Sequence, residues 1–123
     1  MPSVRVEILK GKTADYKKVL LLSIQEALVT ALRVEEDNRC IRLFELDEDC
    51  FLRRASKTDK YTLVELTLLP GRSNELKKNV IEEITRLLGG RLEIQSSDIM
   101  IIIHEAPPDN WGCYGKPFSE LDL

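Results

Sequence analysis

The chain has 123 residues, 43% hydrophobic and 32% charged, with a formal net charge of −3, a balance that predicts one globular domain with a core of its own. No basic stripe stands out, so nucleic acid is not an expected partner. Apolar runs such as Val19–Leu22 and Ile99–Ile103 are far short of a bilayer span, and no apolar leader opens the chain, so no membrane partner and a cytoplasmic location are expected.

Val4, Val6 and Ile8 alternate with Arg5 and Glu7, the period-two pattern of a strand with one apolar face. Gly11-Lys12 ends it, Thr13 is a good N-cap, and Asp15 suits the first helical turn. Tyr16, Leu20, Ile24, Ala27, Leu28, Ala31 and Leu32 then recur at helical spacing, predicting a helix over 14–32. Glu35–Asn38 is a polar turn, and Cys40–Leu46 reads as a second strand. Residues 47–60 are charged and irregular, with Phe51-Leu52 as a possible short hairpin arm. Tyr61–Leu69 alternates as a third strand. Ser73 caps a second helix with the stripe Leu76, Val80, Ile81, Ile84, Leu87 and Leu88, and Gly89-Gly90 is its expected stop. Asp98–Glu105 forms a fourth strand, Pro107–Asn110 breaks it, and an aromatic, glycine-bearing tail follows.

The two halves match at a constant offset of 60 without gaps. Val4, Val6 and Ile8 pair with Val64, Leu66 and Leu68; Gly11-Lys12-Thr13 pairs with Gly71-Arg72-Ser73; Ile41, Leu43 and Glu45 pair with Ile101, Ile103 and Glu105. Two tandem β-α-β units are therefore expected: repeat one over 2–46, a connecting arm over 47–60, repeat two over 61–105 and a tail over 106–123. Right-handed crossovers make the strands parallel within each unit. The fold class is α+β: a four-stranded mixed sheet with two helices on one face. The fourth strand is apolar on both sides from Ile99 to Ile103. Its helix-free face needs a cover, most simply another subunit.

Little else in the chain carries chemistry. Cys40, Cys50 and Cys113 have no metal-like spacing and are odd in number, His104 stands alone, and no glycine-rich phosphate loop is present. No metal or cofactor is expected. His104 aligns with Phe44 and reads as a sheet residue. Pro2 is different. Once Met1 is cleaved it is a secondary amine at the mouth of a strand. An α-amino group titrates near ~8, and burial or nearby cations push it lower, towards a base usable at neutral pH.

A β-α-β repeat beginning Met-Pro, with Gly-[Lys/Arg]-[Thr/Ser] after each first strand and Glu105–Gly112 after the last, resembles the tautomerase superfamily over essentially the whole chain. The resemblance implies a homotrimer acting on a small carboxylate substrate. Pro2 would be the catalytic base or acid and Arg72 the carboxylate-binding arginine, with Asn38, Trp111 and Tyr114 as further substrate-binding residues. It implies keto–enol tautomerisation of a 2-oxo acid. Decarboxylation, hydration or dehalogenation are the alternatives within the family. Asn38 stands where the decarboxylase branch places an aspartate, and Pro70 where it places a second arginine; Arg39, Arg53 or Arg54 are possible substitutes. A non-enzymatic ferredoxin-like binding module, with a different strand order, is the reading outside the family.

Overall fold

In the computed structural model, which describes residues 2–122, the two repeats share one sheet. Strand β1 (Ser3–Leu9), helix α1 (Ala14–Leu32) and β2 (Ile41–Leu46) form the first unit; β3 (Thr62–Leu68), α2 (Asn74–Leu92) and β4 (Ile99–Glu105) form the second. The strand order is β2-β1-β3-β4. β1 and β2 are parallel, as are β3 and β4, and the units meet through the antiparallel pair β1–β3. In a ferredoxin-like split β-α-β the parallel strands are separated by a strand of the other unit. Here each parallel pair is direct, which removes that alternative.

The duplication extends to detail. Thr13 accepts from Tyr16 N and Ser73 from Leu76 N, so both helices start on the same cap. Gly11 and Gly71 have φ of 116° and 119°, a left-handed turn that a side chain would strain. Lys17–Glu45 at 3.1 Å and Lys77–Glu105 at 3.0 Å tie each helix to the closing strand of its own unit. Between helices and sheet lies one core: Val4, Val6 and Ile8 from β1, Val64, Leu66 and Leu68 from β3, Leu20, Ile24 and Leu28 from α1, Val80, Ile84 and Leu88 from α2.

Two expectations are corrected. Helix α2 does not stop at Gly89-Gly90 but runs to Leu92. The stop is set by Glu93 at φ 56°, followed by the buried Ile94, as α1 is stopped by Arg33 at φ 57° and the buried Val34. An apolar residue folding back on the last turn fixes the exit in both repeats. A Cβ on Gly89 would meet Ile94 O at 3.4 Å, whereas one on Gly90 meets nothing. Gly90→Ala is therefore expected to stabilise the protein by about 0.5–1 kcal/mol, read as a raised midpoint in urea unfolding. The stripe of α2 is also narrower than its sequence: Leu76 and Ile81 are exposed.

The second correction is the arm. Phe51-Leu52 forms no strand; a 3₁₀ turn at Glu48–Cys50 precedes irregular chain. Phe51 turns edge-on to Tyr61 at 5.6 Å between ring centres, and Leu52 is fully exposed. Side-chain bonds hold the arm instead. Asp98, only 1% exposed, accepts from Thr58 N at 3.0 Å, from the Thr58 hydroxyl and from Gln95 Nε2 at 3.2 Å. Burial alone would raise the Asp98 carboxyl, but these bonds and the Lys57 charge outweigh it and hold it below the usual carboxylate range. A lowered carboxyl contributes stability above its unfolded pKa of ~3.9 and loses it as pH falls through the folded value. Asp98→Asn should cost about 1–3 kcal/mol at pH 7, and the gap to wild type should close in acid, below ~pH 4, as measured by urea melts across pH.

Opposite the helices the sheet is bare. Phe44, Met100 and Ile102 lie on that face at 37%, 46% and 38% exposure. Arg5 stacks over Phe44 at 4.1 Å and pairs with Glu7 at 3.5 Å, and His104 Nε2 lies 3.2 Å from Glu65 Oε1. His104 is thus a surface residue of this face. Among the described residues, no helix is long and apolar enough to cross a membrane.

Candidate active site

The register decides what surrounds Pro2. Ser3 pairs with Thr67, so continuing by one residue sets Pro2 beside Leu68. Leu68 O accepts from Ala106 N at 2.9 Å, and Trp111 donates from its indole to Ala106 O at 2.8 Å. On the other flank, Val4 N donates to Cys40 O at 2.8 Å. Pro2, itself buried, therefore lies at the end of the sheet where β1 and β2 begin and β3 and β4 finish. Asn38 enters this end before β2, Arg72 leaves it after β3, and the tail starts from it after β4. What the chain's order scatters over 110 positions, the antiparallel joint of the repeats gathers.

The gathering is incomplete. Among the described residues the Arg72 guanidinium makes no hydrogen bond or ion pair, and the Asn38 side-chain amide makes none. Trp111 stacks on Phe118 at 5.5 Å, which props the tail. Tyr114 sits at the tip of a hairpin made by β5 (Gly112–Cys113) and β6 (Lys116–Pro117). Tyr114 and Gly115 take φ of 56° and 74°, the two-residue turn in which both residues are left-handed. At 83% exposure, Tyr114 walls no pocket of its own chain.

One residue at this end was not singled out from sequence. Arg42 donates from Nη1 to Ser3 Oγ at 2.9 Å and approaches Cys40 Sγ at 3.6 Å, so a guanidinium sits against the residue following Pro2. The only signal was alternation along β2, which puts a charge at 42 between Ile41 and Leu43.

The other end of the sheet holds the repeat mates of these residues. Thr62 replaces Pro2, Lys12 replaces Arg72 and Asp98 replaces Asn38. The arm occupies it: Lys12 Nζ donates to Asp59 O at 2.7 Å, Lys57 Nζ to Ser97 O at 2.6 Å and Lys60 Nζ to Leu92 O at 3.0 Å. Tyr16 is half-buried here; burial first, then the charges of Asp59 and Asp98, push its phenol up and keep it neutral. Lys12 is thus spent on the fold. Arg53 is half-buried in the arm and paired with Glu48 at 2.9 Å, and it and Arg54 line a hollow with Tyr61 and Met100. No cluster of metal-ligating side chains occurs among the described residues.

The strand order and the repeated units define a duplicated β-α-β protein. A family model described as "Tautomerase enzyme" matches residues 38–113. The 2-hydroxymuconate tautomerase of Comamonas testosteroni is 40% identical over 57 residues, which are 46% of this chain and 90% of that protein. That relative is therefore about one repeat long. Two solved structures share the fold. A fused 4-OT symmetric trimer has a TM-score of 0.82 at 22% identity, covering 94% of this chain and 95% of the other. A malonate semialdehyde decarboxylase has a TM-score of 0.80 at 20% identity, covering 89% and 88%. The chain belongs to the tautomerase family.

Proposed function

We propose that this enzyme catalyses keto–enol tautomerisation of a small 2-oxo acid, with Pro2 as general base and acid after Met1 is removed. Met1 lies outside the described residues. In this reading Arg72 grips the substrate carboxylate, because a planar guanidinium can donate two parallel bonds to it. The proline nitrogen takes a proton from oxygen of the enol and returns one at carbon. Arg42 beside Ser3, and Arg72, put positive charge near the amine; such charge favours its unprotonated form and steadies an enolate oxygen. Asn38 supplies a polar contact, and Trp111 and Tyr114 supply walls.

The observation that carries this reading is the burial of Pro2 at the end of the sheet where Arg72 makes no ion pair among the described residues. Its mate Lys12 is tied down at the other end. The decarboxylase alternative gains no comparable support. Asn38 is an amide with no carboxylate to share a proton, and Pro70 offers no cation.

A cytoplasmic homotrimer completes the proposal. Phe44, Met100 and Ile102 need a cover that the chain's own two helices do not provide. The test is turnover of an enol such as phenylenolpyruvate by wild type, Pro2→Ala and Arg72→Ala. Undiminished turnover in both variants ends the proposal.

A further inference from the structure

Between α1 and residues 36–42 runs a groove of about 330 Å³ lined by Leu21, Leu22, Gln25, Arg39, Ile41 and Arg42. It adjoins a second hollow of about 230 Å³ that shares Leu22, Gln25 and Arg39 and reaches Glu36. Gln25 is the unusual member. It is only 5% exposed, yet it sits on a helix face otherwise given to Ile24 and Leu28. Its Nε2 donates to Glu36 O at 3.2 Å and to Asn38 O at 3.4 Å. Both acceptors are carbonyls, so the nitrogen must face them and the amide cannot be turned over. Its Oε1 is therefore fixed on the other side, and it is buried with no hydrogen-bond partner among the described residues. A buried acceptor left unpaired is costly, and native proteins rarely leave one.

The charges beside it are also unspent. Arg39 uses Nε on Glu36 O at 2.9 Å, and Arg42 uses Nη1 on Ser3 Oγ at 2.9 Å. Neither is in an ion pair among the described residues, and Glu26 on the adjoining rim is taken by Arg91 at 2.6 Å. Two guanidiniums outside any ion pair, and one buried acceptor without a partner among the described residues, thus line one groove with Leu21, Leu22 and Ile41.

We propose that this groove is a binding site for a small organic anion that also carries a hydrogen-bond donor, such as a hydroxy acid. Arg39 and Arg42 take the carboxylate oxygens, and Gln25 Oε1 accepts from the ligand's O–H or N–H. The site needs neither the proline amine nor Arg72.

Malate and succinate separate the parts, since they share two carboxylates and only malate has the hydroxyl. In ¹H–¹⁵N titrations, malate is expected to shift the Gln25 side-chain amide and the backbone amides of 39–42 saturably. Malate should bind about tenfold tighter than succinate, the effect of one donor satisfying a buried acceptor. Gln25→Met should erase that preference, and Arg42→Ala should weaken both ligands. The Pro2→Ala/Arg72→Ala double variant should bind malate as wild type does. Should Gln25→Met fail to fold, the malate-to-succinate ratio in wild type still decides. Equal affinities, no saturable shift at 39–42, or binding lost in the double variant would each overturn the proposal. None of these outcomes depends on whether the protein turns over an enol.

Discussion

Pro2→Ala is expected to lower kcat for enol turnover by about 10²-fold or more, within the range that a positioned general base contributes. The variant keeps an amine, so the loss comes from geometry and basicity rather than from deleting the group. Proline's ring fixes its nitrogen relative to β1, and Pro2 is buried between Leu68 and the start of β2. An alanine amine is primary, turns freely, and offers its lone pair in many directions. The fold should be untouched: Val4, the first core residue of β1, is fully buried, and its N–H is held by Cys40 O. Circular dichroism and urea unfolding of the variant should match wild type, so that lost turnover reads as lost chemistry.

Arg72→Ala should act differently. A charge-assisted pair to a carboxylate contributes about 1.5–3 kcal/mol, so kcat/KM should fall by about 10- to 100-fold, mostly through KM. Arg72 is followed by the Ser73 cap and preceded by Gly71 at φ 119°, but its own side chain supports neither. Stability should therefore hold. Arg72→Lys keeps the charge but loses the fork, and should recover only part of the affinity. Lys12→Ala is the internal control. Lys12 is bonded to Asp59 O at the far end of the sheet, so its loss should cost stability and spare turnover.

The repeat made most of the fold legible. A cap residue, a glycine turn and an apolar strand at a fixed offset are local signals, and Thr13, Ser73, Gly11 and Gly71 behave as such signals should. Where the sequence misled, a longer-range contact had overruled a local preference. Gly89-Gly90 look like a stop, but Ile94 folding onto Leu88 carries α2 past them. Tyr114 is an improbable residue for a positive φ, so the tail hairpin gave no warning.

Of the proposed site, only two residues were legible. Pro2 and Arg72 announce themselves through position and charge. Arg42 meets Ser3 across 39 positions, and Gln25 meets Glu36 across 11, and no periodicity encodes either bond. Gln25 did break the apolar arc of α1 between Ile24 and Leu28, the one trace of it in the sequence. Asp98 likewise hides among Ser96 and Ser97, and only the arm folding back on it makes it a buried acceptor.

The central claim concerns one nitrogen. While Met1 is attached, that nitrogen is an amide with no basic lone pair; once Met1 is gone, it is an amine. Intact mass and enol turnover should be measured on the same samples, prepared with and without methionine aminopeptidase treatment. Turnover is expected to rise in proportion to the fraction of chains beginning at Pro2 and to vanish in a sample that wholly retains Met1. Equal turnover by chains that keep Met1 would contradict the account.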